Sequence, residues 1–210
     1  MKYLKNIFCL LLCLNLCFGF VGCSKENNSN NIANDEISSD IAESNNNTTA
    51  VITVKNYGEI QLELYYSVAP ITVTNFVKLA NSGFYDGLTF HRIIKDFMIQ
   101  GGDPEGTGMG GSKDNIYGEF SANGFQNNIS HKRGVISMAR LGNDMNSATS
   151  QFFIVHKDSP HLDGQYAAFG KVIKGIEVVD KLADTPSDSY SGAVEKANQP
   201  VIESIKIIKE

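Results

Sequence analysis

The stretch of residues 90–103 constrains the fold more than any other part of the chain, because it places an arginine inside a run of apolar residues. Read with the two-residue period of a β-strand, Phe90, Arg92 and Ile94 share one face of a first strand. The polar pair Lys95-Asp96 then predicts a turn into a second strand, so the segment predicts a β-hairpin. An isolated buried charge is costly, so we expect Arg92 either to be paired or to line a groove that is open to water.

The N-terminus has the pattern of a signal sequence. Two lysines precede an apolar stretch over residues 7–21, which is shorter than the ~20 residues that a membrane-spanning helix needs. Residues 20–23, Phe-Val-Gly-Cys, resemble the lipobox of bacterial lipoproteins. This resemblance implies a signal peptide over residues 1–22 and a diacylglycerol on the thiol of Cys23. Plain secretion and an uncleaved anchor are the alternatives.

The four cysteines of the chain all lie at or before position 23, which leaves the remainder without thiols. Disulfide scaffolds, thiolate zinc sites and cysteine nucleophiles are therefore excluded there. Residues 23–50 begin with the cysteine of the lipobox and are rich in Asn and Ser, with too few apolar residues to offset chain entropy. They are predicted to form a disordered tether, with a fragment of a folded element as the alternative. Residues 51–210 have the length of a single domain.

Short strand-like stretches recur along residues 51–210, and two segments have helical periodicity. The strand-like stretches outside the hairpin are residues 51–55, 59–65, 134–139, 151–155, 166–172 and 201–208. The first helical segment starts at Pro70 and ends before Gly83, with apolar residues at helical spacing: Val73, Phe76, Val77 and Ala80. The second has the apolar residues Ile176, Val179, Leu182 and Ala183. Many short strands with two amphipathic helices predict a mainly β fold, a closed antiparallel barrel capped at its ends.

Several common catalytic arrangements are absent from the sequence. Residues 106–111 satisfy the pattern G-x-G-x-x-G, but an irregular polar segment follows where a dinucleotide-binding fold needs a helix. The four histidines, His91, His131, His156 and His161, do not stand at the spacings of metal ligands. A serine hydrolase is not indicated either, because the chain has no G-x-S-x-G motif. The sequence therefore predicts neither a metal nor a cofactor.

Three segments follow one another in a specific order: residues 90–103 (FHRIIKDFMIQGGD), residues 147–154 (SATSQFFI) and residues 162–172 (LDGQYAAFGKV). Together they resemble the signature motifs of the cyclophilin-type peptidyl-prolyl cis–trans isomerases. The resemblance covers nearly the whole of residues 51–210. It implies an eight-stranded antiparallel β-barrel closed by two α-helices, with the substrate in an outer groove, and rotation about X-Pro peptide bonds without any covalent intermediate.

The resemblance also implies roles for individual residues. Arg92 would donate a hydrogen bond to the prolyl nitrogen when the peptide bond is twisted, and Gln100 would brace Arg92. The residues that match the substrate-binding positions are Phe97, Met98, Phe153, Leu162 and Tyr166 for the proline pocket, and Ala139, Arg140 and Gln151 for the groove beside it. Without the resemblance, the aromatic and Met positions would be interpreted as barrel core.

Two positions depart from the family pattern. His161 stands where eukaryotic members commonly have a tryptophan, and Tyr166 stands at the position of the pocket histidine. The missing indole implies weak binding of cyclosporin, whereas an aromatic ring at 166 still walls the pocket. The loop over residues 140–150 is longer than in short eukaryotic members, as in bacterial forms.

The sequence thus predicts a monomeric isomerase, lipid-anchored at the extracytoplasmic face of the cell membrane. Its expected partners are unfolded or proline-containing exported polypeptides. A proline-peptide binding module or holdase chaperone with incidental turnover is one alternative, and an adhesin that uses the fold as a scaffold is another. The formal net charge of −5 and the lack of a basic face argue against nucleic acid as a partner.

Overall fold

The structure, a computed structural model, describes residues 48–209. The strands are β1 (Thr48–Val54), β2 (Gly58–Leu64), β3 (Thr89–Ile94), β4 (Met98–Asp103), β5 (Val135–Met138), β6 (Phe152–Val155), β7 (Ala168–Lys174) and β8 (Ile202–Lys209). The helices are α1 (Pro70–Asn81) and α2 (Ile176–Ala183), with single 3₁₀ turns at Ser121–Asn123, Pro160–Leu162 and Lys196–Asn198. The predicted signal peptide over residues 1–22 and Cys23 lie outside the described residues.

The eight strands form one antiparallel sheet in the order β3-β4-β6-β5-β7-β2-β1-β8. Its two edge strands meet at one end, where Thr89 and Val201 form an antiparallel bridge. Three backbone hydrogen bonds extend this closure. The amides of Phe90 and Gly87 donate to the carbonyls of Pro200 and Ile202, and the amide of Ile202 donates to the carbonyl of Leu88. Eight antiparallel strands curled into a barrel, with two α-helices, confirm the predicted fold class.

Strand β1 begins at Thr48, inside the segment that the sequence assigns to the tether. Residues 48–50 are buried, and Thr49 pairs with Glu63 of β2 and with Ile208 of β8. Thr48 and Thr49 are β-branched and therefore suit a strand that is paired on both sides. The residues before them are polar, however, so the local sequence does not indicate that a strand begins here. The folded domain therefore includes these three residues, and the rest of the predicted tether lies outside the described residues.

Helix α1 confirms the predicted start at Pro70 and turns its apolar face, including Val73, Phe76 and Ala80, into the barrel. Its N-terminus has no local side-chain cap, because Ala69 occupies the capping position. A buried carboxylate from far along the chain takes that role. Glu119 accepts hydrogen bonds from the backbone amides of residues 71 and 72 at 3.0 and 2.7 Å, and from the hydroxyl of Thr72 at 2.6 Å. These are donors that the helix itself leaves unpaired.

Helix α2 begins after Gly175, which has a positive φ of 81°, and buries Val178, Val179 and Leu182. It confirms the second predicted helix. Neither helix of the described residues is long and apolar enough to cross a membrane.

The two faces of the sheet support separate apolar clusters. On β6, Phe152 and Ile154 belong to the large cluster inside the barrel, whereas Phe153 and Val155 belong to a smaller one on the other face. This follows from the alternation of side chains along a strand. The smaller cluster, which includes Met98 and Leu162, forms the floor of the candidate site described below.

A β-bulge in β3 corrects one prediction about the hairpin. Phe90 pairs with Gly101 and Arg92 pairs with Gln100, so β3 has one more residue than β4 between these pairs. The extra residue, His91, reverses the alternation, because a bulge places two residues of one strand opposite one of its partner. The predicted common face is therefore wrong for Phe90, which packs in the large cluster, while Ile94 contacts the smaller one.

Candidate active site

Arg92 and Gln100 face each other across the β3–β4 hairpin. Nη1 of Arg92 donates to Oε1 of Gln100 at 3.1 Å and also approaches Sδ of Met98 at 3.7 Å. Nε of Arg92 donates to the backbone carbonyl of Ser191 at 2.8 Å. The guanidinium is half-buried, and burial lowers its pKa from the ordinary arginine value. It has no carboxylate partner among residues 48–209, so the second of the two expected alternatives holds: Arg92 is hydrogen-bonded to neutral groups and lines a groove that is open to water.

Gln100 continues a hydrogen-bonded chain that leads away from Arg92. Its Nε2 donates to Oε1 of Gln151 at 2.9 Å. Nε2 of Gln151 in turn donates to the backbone carbonyls of Gly108 and Gly110, at 3.1 and 2.7 Å. The position of the arginine is thus connected through two amides to the glycine-rich loop over residues 104–111.

Asp103 holds that loop in place from the end of β4. Its buried carboxylate accepts hydrogen bonds from the amides of Glu105, Thr107 and Gly108 at 2.8, 2.9 and 2.6 Å. Burial alone would raise the pKa of Asp103, but these N–H donors bring it below its ordinary value. The G-x-G-x-x-G segment is therefore a loop wrapped on an aspartate, with no helix after it to bind a dinucleotide phosphate.

A small cavity of about 140 Å³, here called the apolar pocket, opens beside Arg92. Its lining is Arg92, Phe97, Met98, Gln100, Ala139, Arg140, Phe153, Leu162 and Tyr166. Each of these residues is among the predicted site residues. The structure therefore brings together side chains from four separated segments into one concave surface, as a binding site requires.

A second cavity of about 270 Å³, here called the adjoining pocket, lies next to the first. Gln151, the remaining predicted groove residue, lines this pocket, and Gln100, Ala139 and Arg140 line both. The rest of the lining consists of the loop residues Gly108, Met109, Gly110, Gly111 and Ser112 and of Leu141, Ser147 and Thr149. The two pockets form one groove across the outer face of the sheet.

Aromatic rings wall the apolar pocket. The rings of Phe153 and Tyr166 meet edge to face, with centroids 5.6 Å apart and an angle of 87° between the planes. The ring of Phe97 lies against the imidazole of His161 at 5.4 Å. His161, at the position of the family's tryptophan, is exposed, and its ring contacts the apolar pocket only through Phe97.

A buried polar group beneath Phe153 was not predicted from the sequence. The imidazole of His131 stacks on the ring of Phe153 at 6.0 Å. Its Nδ1 lies 3.0 Å from the carboxylate of Asp163, and its Nε2 lies 3.2 Å from the hydroxyl of Ser137. The set resembles a hydrolytic triad, but the side chain of Ser137 is 0% exposed, so a substrate cannot reach it. No local sequence signal links residues so far apart.

Arg140 also has surroundings that the sequence does not reveal. Its guanidinium carbon lies 5.1 Å from the ring centroid of Phe120 and 4.9 Å from that of Tyr166, so the group is held between two aromatic rings. Its Nε donates to the carbonyl of Gln165 at 3.1 Å, and its Nη1 donates to that of Leu141 at 2.8 Å.

Within residues 48–209, no three side chains of His, Cys, Asp or Glu come together as a metal site would require.

The sequence profile of the family described as Cyclophilin type peptidyl-prolyl cis-trans isomerase/CLD matches residues 49–209. A peptidyl-prolyl cis-trans isomerase of Helicobacter pylori is 50% identical over 137 residues, which are 64% of this chain and 80% of the relative. Peptidyl-prolyl cis-trans isomerase B of Bacillus subtilis is 46% identical over 136 residues, or 65% of this chain and 91% of the relative. The match to a Gibberella zeae isomerase-like protein, 42% identical, covers only 25% of that protein's length.

A similar solved structure is the crystal structure of a Cryptosporidium parvum cyclophilin type peptidyl-prolyl cis-trans isomerase, with a TM-score of 0.69 and 36% identity. The alignment covers 78% of this chain and 99% of that one. A second crystal structure of that protein, determined in the presence of the dipeptide Ala-Pro, has a TM-score of 0.68. The similarity therefore extends over both the sequence and the antiparallel β fold of the described residues. The chain belongs to the cyclophilin-type peptidyl-prolyl cis–trans isomerase family.

Proposed function

We propose that this protein accelerates rotation about X-Pro peptide bonds in exported polypeptides and so assists their folding. The observation that carries the proposal is the placement of the half-buried Arg92, braced by Gln100, at the edge of a small apolar pocket. The relatives named above and the crystal structure with an Ala-Pro dipeptide support this class of activity and substrate.

The barrier to this rotation comes from the resonance of the peptide bond. Rotation costs ~18–20 kcal/mol, and uncatalysed exchange takes ~10–100 s. In the twisted transition state the prolyl nitrogen loses conjugation and regains a lone pair that can accept a hydrogen bond. A donor placed at this nitrogen stabilises the transition state more than the planar ground state and therefore raises the rate.

Arg92 is suited to be that donor. Its Nε and Nη1 are engaged by the protein, whereas Nη2 makes no hydrogen bond to the described residues and can donate to a substrate. The two internal bonds fix the plane of the guanidinium before the substrate arrives. A preorganised donor needs little reorganisation at the moment of reaction.

The walls of the apolar pocket would hold the proline ring while the preceding carbonyl group rotates. Phe97, Met98, Phe153 and Leu162 provide apolar contact surface, and Tyr166 closes one side. Gln151 and Ala139 line the adjoining pocket, and we expect the peptide next to the proline to bind there. No proton transfer or covalent step is needed, so the proposed mechanism requires no nucleophile, general base or metal ion.

An NMR exchange experiment on a short proline peptide tests the proposed activity. We expect the parent protein to broaden the NMR signals of the cis and trans peptide or to give exchange peaks between them. The substitution Arg92→Ala should lower kcat/KM about 10²- to 10³-fold. Lys206→Gln, which removes an exposed cation on β8, serves as the matched control and should leave the rate unchanged. A binding module without catalysis would instead give peptide binding with no exchange, and an Arg92→Ala variant as fast as the parent would exclude the proposed role of Arg92.

We also propose that the protein acts outside the cytoplasm, attached to the membrane by a lipid on Cys23. The sequence of residues 7–23 supports this location, since an apolar stretch ends in a lipobox-like cysteine. The intact mass of the protein isolated from membranes would correspond to a chain that begins at Cys23 and carries a diacylglycerol. Release of the protein from membranes by a Cys23→Ala substitution would agree with the proposal, whereas an N-terminus at another residue would contradict it.

A further inference from the structure

The groove formed by the two pockets is positively charged, although the chain as a whole carries a formal net charge of −5. The charged residues that line it are Arg92 and Arg140, and no aspartate or glutamate of residues 48–209 lines either pocket. A concave surface with one sign of charge concentrates ligands of the opposite sign. The groove is therefore matched to a peptide that carries negative charge close to its proline.

Arg140 is the cation at the junction of the two pockets, and its side chain is fixed in advance. The rings of Phe120 and Tyr166 both pack against the guanidinium, and carbonyl groups accept hydrogen bonds from its Nε and Nη1. A mobile arginine loses side-chain entropy when it binds a ligand. Arg140 is already ordered by these contacts, so this loss does not weaken ligand binding.

The remaining nitrogen of Arg140, Nη2, makes no hydrogen bond to the described residues. No ion pair joins Arg140 to a carboxylate of residues 48–209. Asp144, in the same loop, accepts a hydrogen bond from the amide of Asn146, and Asp163 is bound to His131. The two N–H groups on Nη2 are thus available for a ligand, and a carboxylate is the acceptor that best matches a guanidinium.

We propose that Arg140 is a specificity-determining residue that selects substrates with an acidic side chain one or two residues from the proline, an inference that rests on the proposed function. The carboxylate of the substrate binds Nη2 at the junction of the pockets while the proline ring occupies the apolar pocket. The exposed side chains of Met109 and Leu141 on the rim of the adjoining pocket contact the methylene groups of a glutamate. The groove is open to water, which weakens the attraction between the two charges. We therefore expect kcat/KM to be about two- to fivefold higher for a Glu peptide than for the matching Gln peptide.

The test compares peptides that differ only in one residue near the proline. Glu, Gln or Lys is placed at each of the two positions before the proline and at the one after it, and kcat/KM is measured by NMR exchange at low and high ionic strength. At one of these positions the parent protein should favour Glu over Gln and Gln over Lys, and the difference should narrow as salt increases. The ratio of two peptides on one protein does not depend on how much of that protein is folded.

Two variants assign the preference to Arg140. In Arg140→Gln the Glu-to-Gln ratio should fall to about one, and in Arg140→Lys it should remain above one but below the parent value. The exposed-cation control Lys206→Gln should keep the parent ratio. An unchanged ratio in Arg140→Gln would overturn the assignment. Equal rates for Glu and Gln peptides on the parent would overturn the proposed selectivity while leaving the isomerase function intact, and a lack of exchange with every peptide would overturn the proposed function itself.

Discussion

The imidazole of His131 stacks on the ring of Phe153, with the ring centroids 6.0 Å apart and the planes inclined by 17°. Phe153 is a wall of the apolar pocket. Polar contacts with Asp163 and Ser137 orient the imidazole of His131 against this wall. The backbone amide of His131 also donates to the carboxylate of Asp163, at 2.7 Å. The buried imidazole of His131, held by the half-buried Asp163 and the buried Ser137, thus supports Phe153 from the side that substrate does not touch, which makes His131 a positioning residue for Phe153.

Removing this support should weaken substrate binding more than the chemical step. We expect His131→Ala to lower the free energy of unfolding by about 2 kcal/mol and to raise KM, because the ring of Phe153 loses its packing partner. Ser137→Ala removes only one hydrogen bond and should cost about 1 kcal/mol. Urea denaturation and steady-state rates on a proline peptide measure both effects. A variant His131→Ala with the parent KM would show that Phe153 is positioned without the histidine.

The stability of the protein should fall as the pH decreases below about 6.5, the ordinary pKa of histidine. Burial lowers the pKa of His131, although the carboxylate of Asp163 opposes the shift. Burial likewise lowers the pKa of His91, although the carboxylate of Asp103 opposes the shift. Groups with a lowered folded-state pKa stabilise the fold fully above the unfolded-state pKa, and this contribution is lost as the pH falls towards the folded-state pKa.

Urea denaturation at about pH 7.5 and about pH 5.5 measures this loss. The double variant His91→Asn with His131→Asn should be less stable at both pH values but should show a smaller difference between them. The aspartates with lowered pKa, such as Asp103 and Asp163, titrate below this range and do not contribute to the difference. Equal stability of the parent at both pH values would contradict the prediction.

Gln100 should contribute to the rate through the position of Arg92. Gln100→Met keeps the length of the side chain but removes the bonds to Arg92 and Gln151, so we expect kcat/KM to fall about tenfold. Gln151→Met keeps the bond between Gln100 and Arg92 and should have a smaller effect. NMR exchange rates for both single variants and the double variant form a double-mutant cycle. Strictly additive effects would mean that the two amides act independently.

Glu119 should stabilise helix α1 from outside the helix. Glu119→Gln replaces an acceptor carboxylate with an amide that cannot serve all three donors, so the free energy of unfolding should fall by about 2 kcal/mol. Thr72→Val removes only the hydroxyl bond and should cost about 1 kcal/mol. Urea denaturation measures these losses of stability as shifts of the midpoint, provided that the m-value stays the same. Rates per folded molecule should not change, since neither residue lines the groove; a Glu119→Gln variant as stable as the parent would contradict the prediction.

Local patterns were sufficient to predict much of the fold. The apolar period of three to four residues predicted both helices, and the starting proline of α1 was placed correctly, because these signals depend only on neighbouring residues. The motifs around Arg92, Phe153 and Leu162 predicted which residues line the apolar pocket through their resemblance to a family.

Contacts between distant segments decided the rest. The bulge at His91 reverses the face of Phe90, since the register of a strand depends on its partner as well as on its own sequence. The cap from Glu119, the stack of His131 on Phe153 and the two rings around Arg140 join residues that are 20 or more positions apart in the chain. The family-like motifs named the side chains that line the groove. The contacts that orient those side chains could not be predicted from the motifs, because burial and hydrogen bonding depend on neighbours that folding brings together.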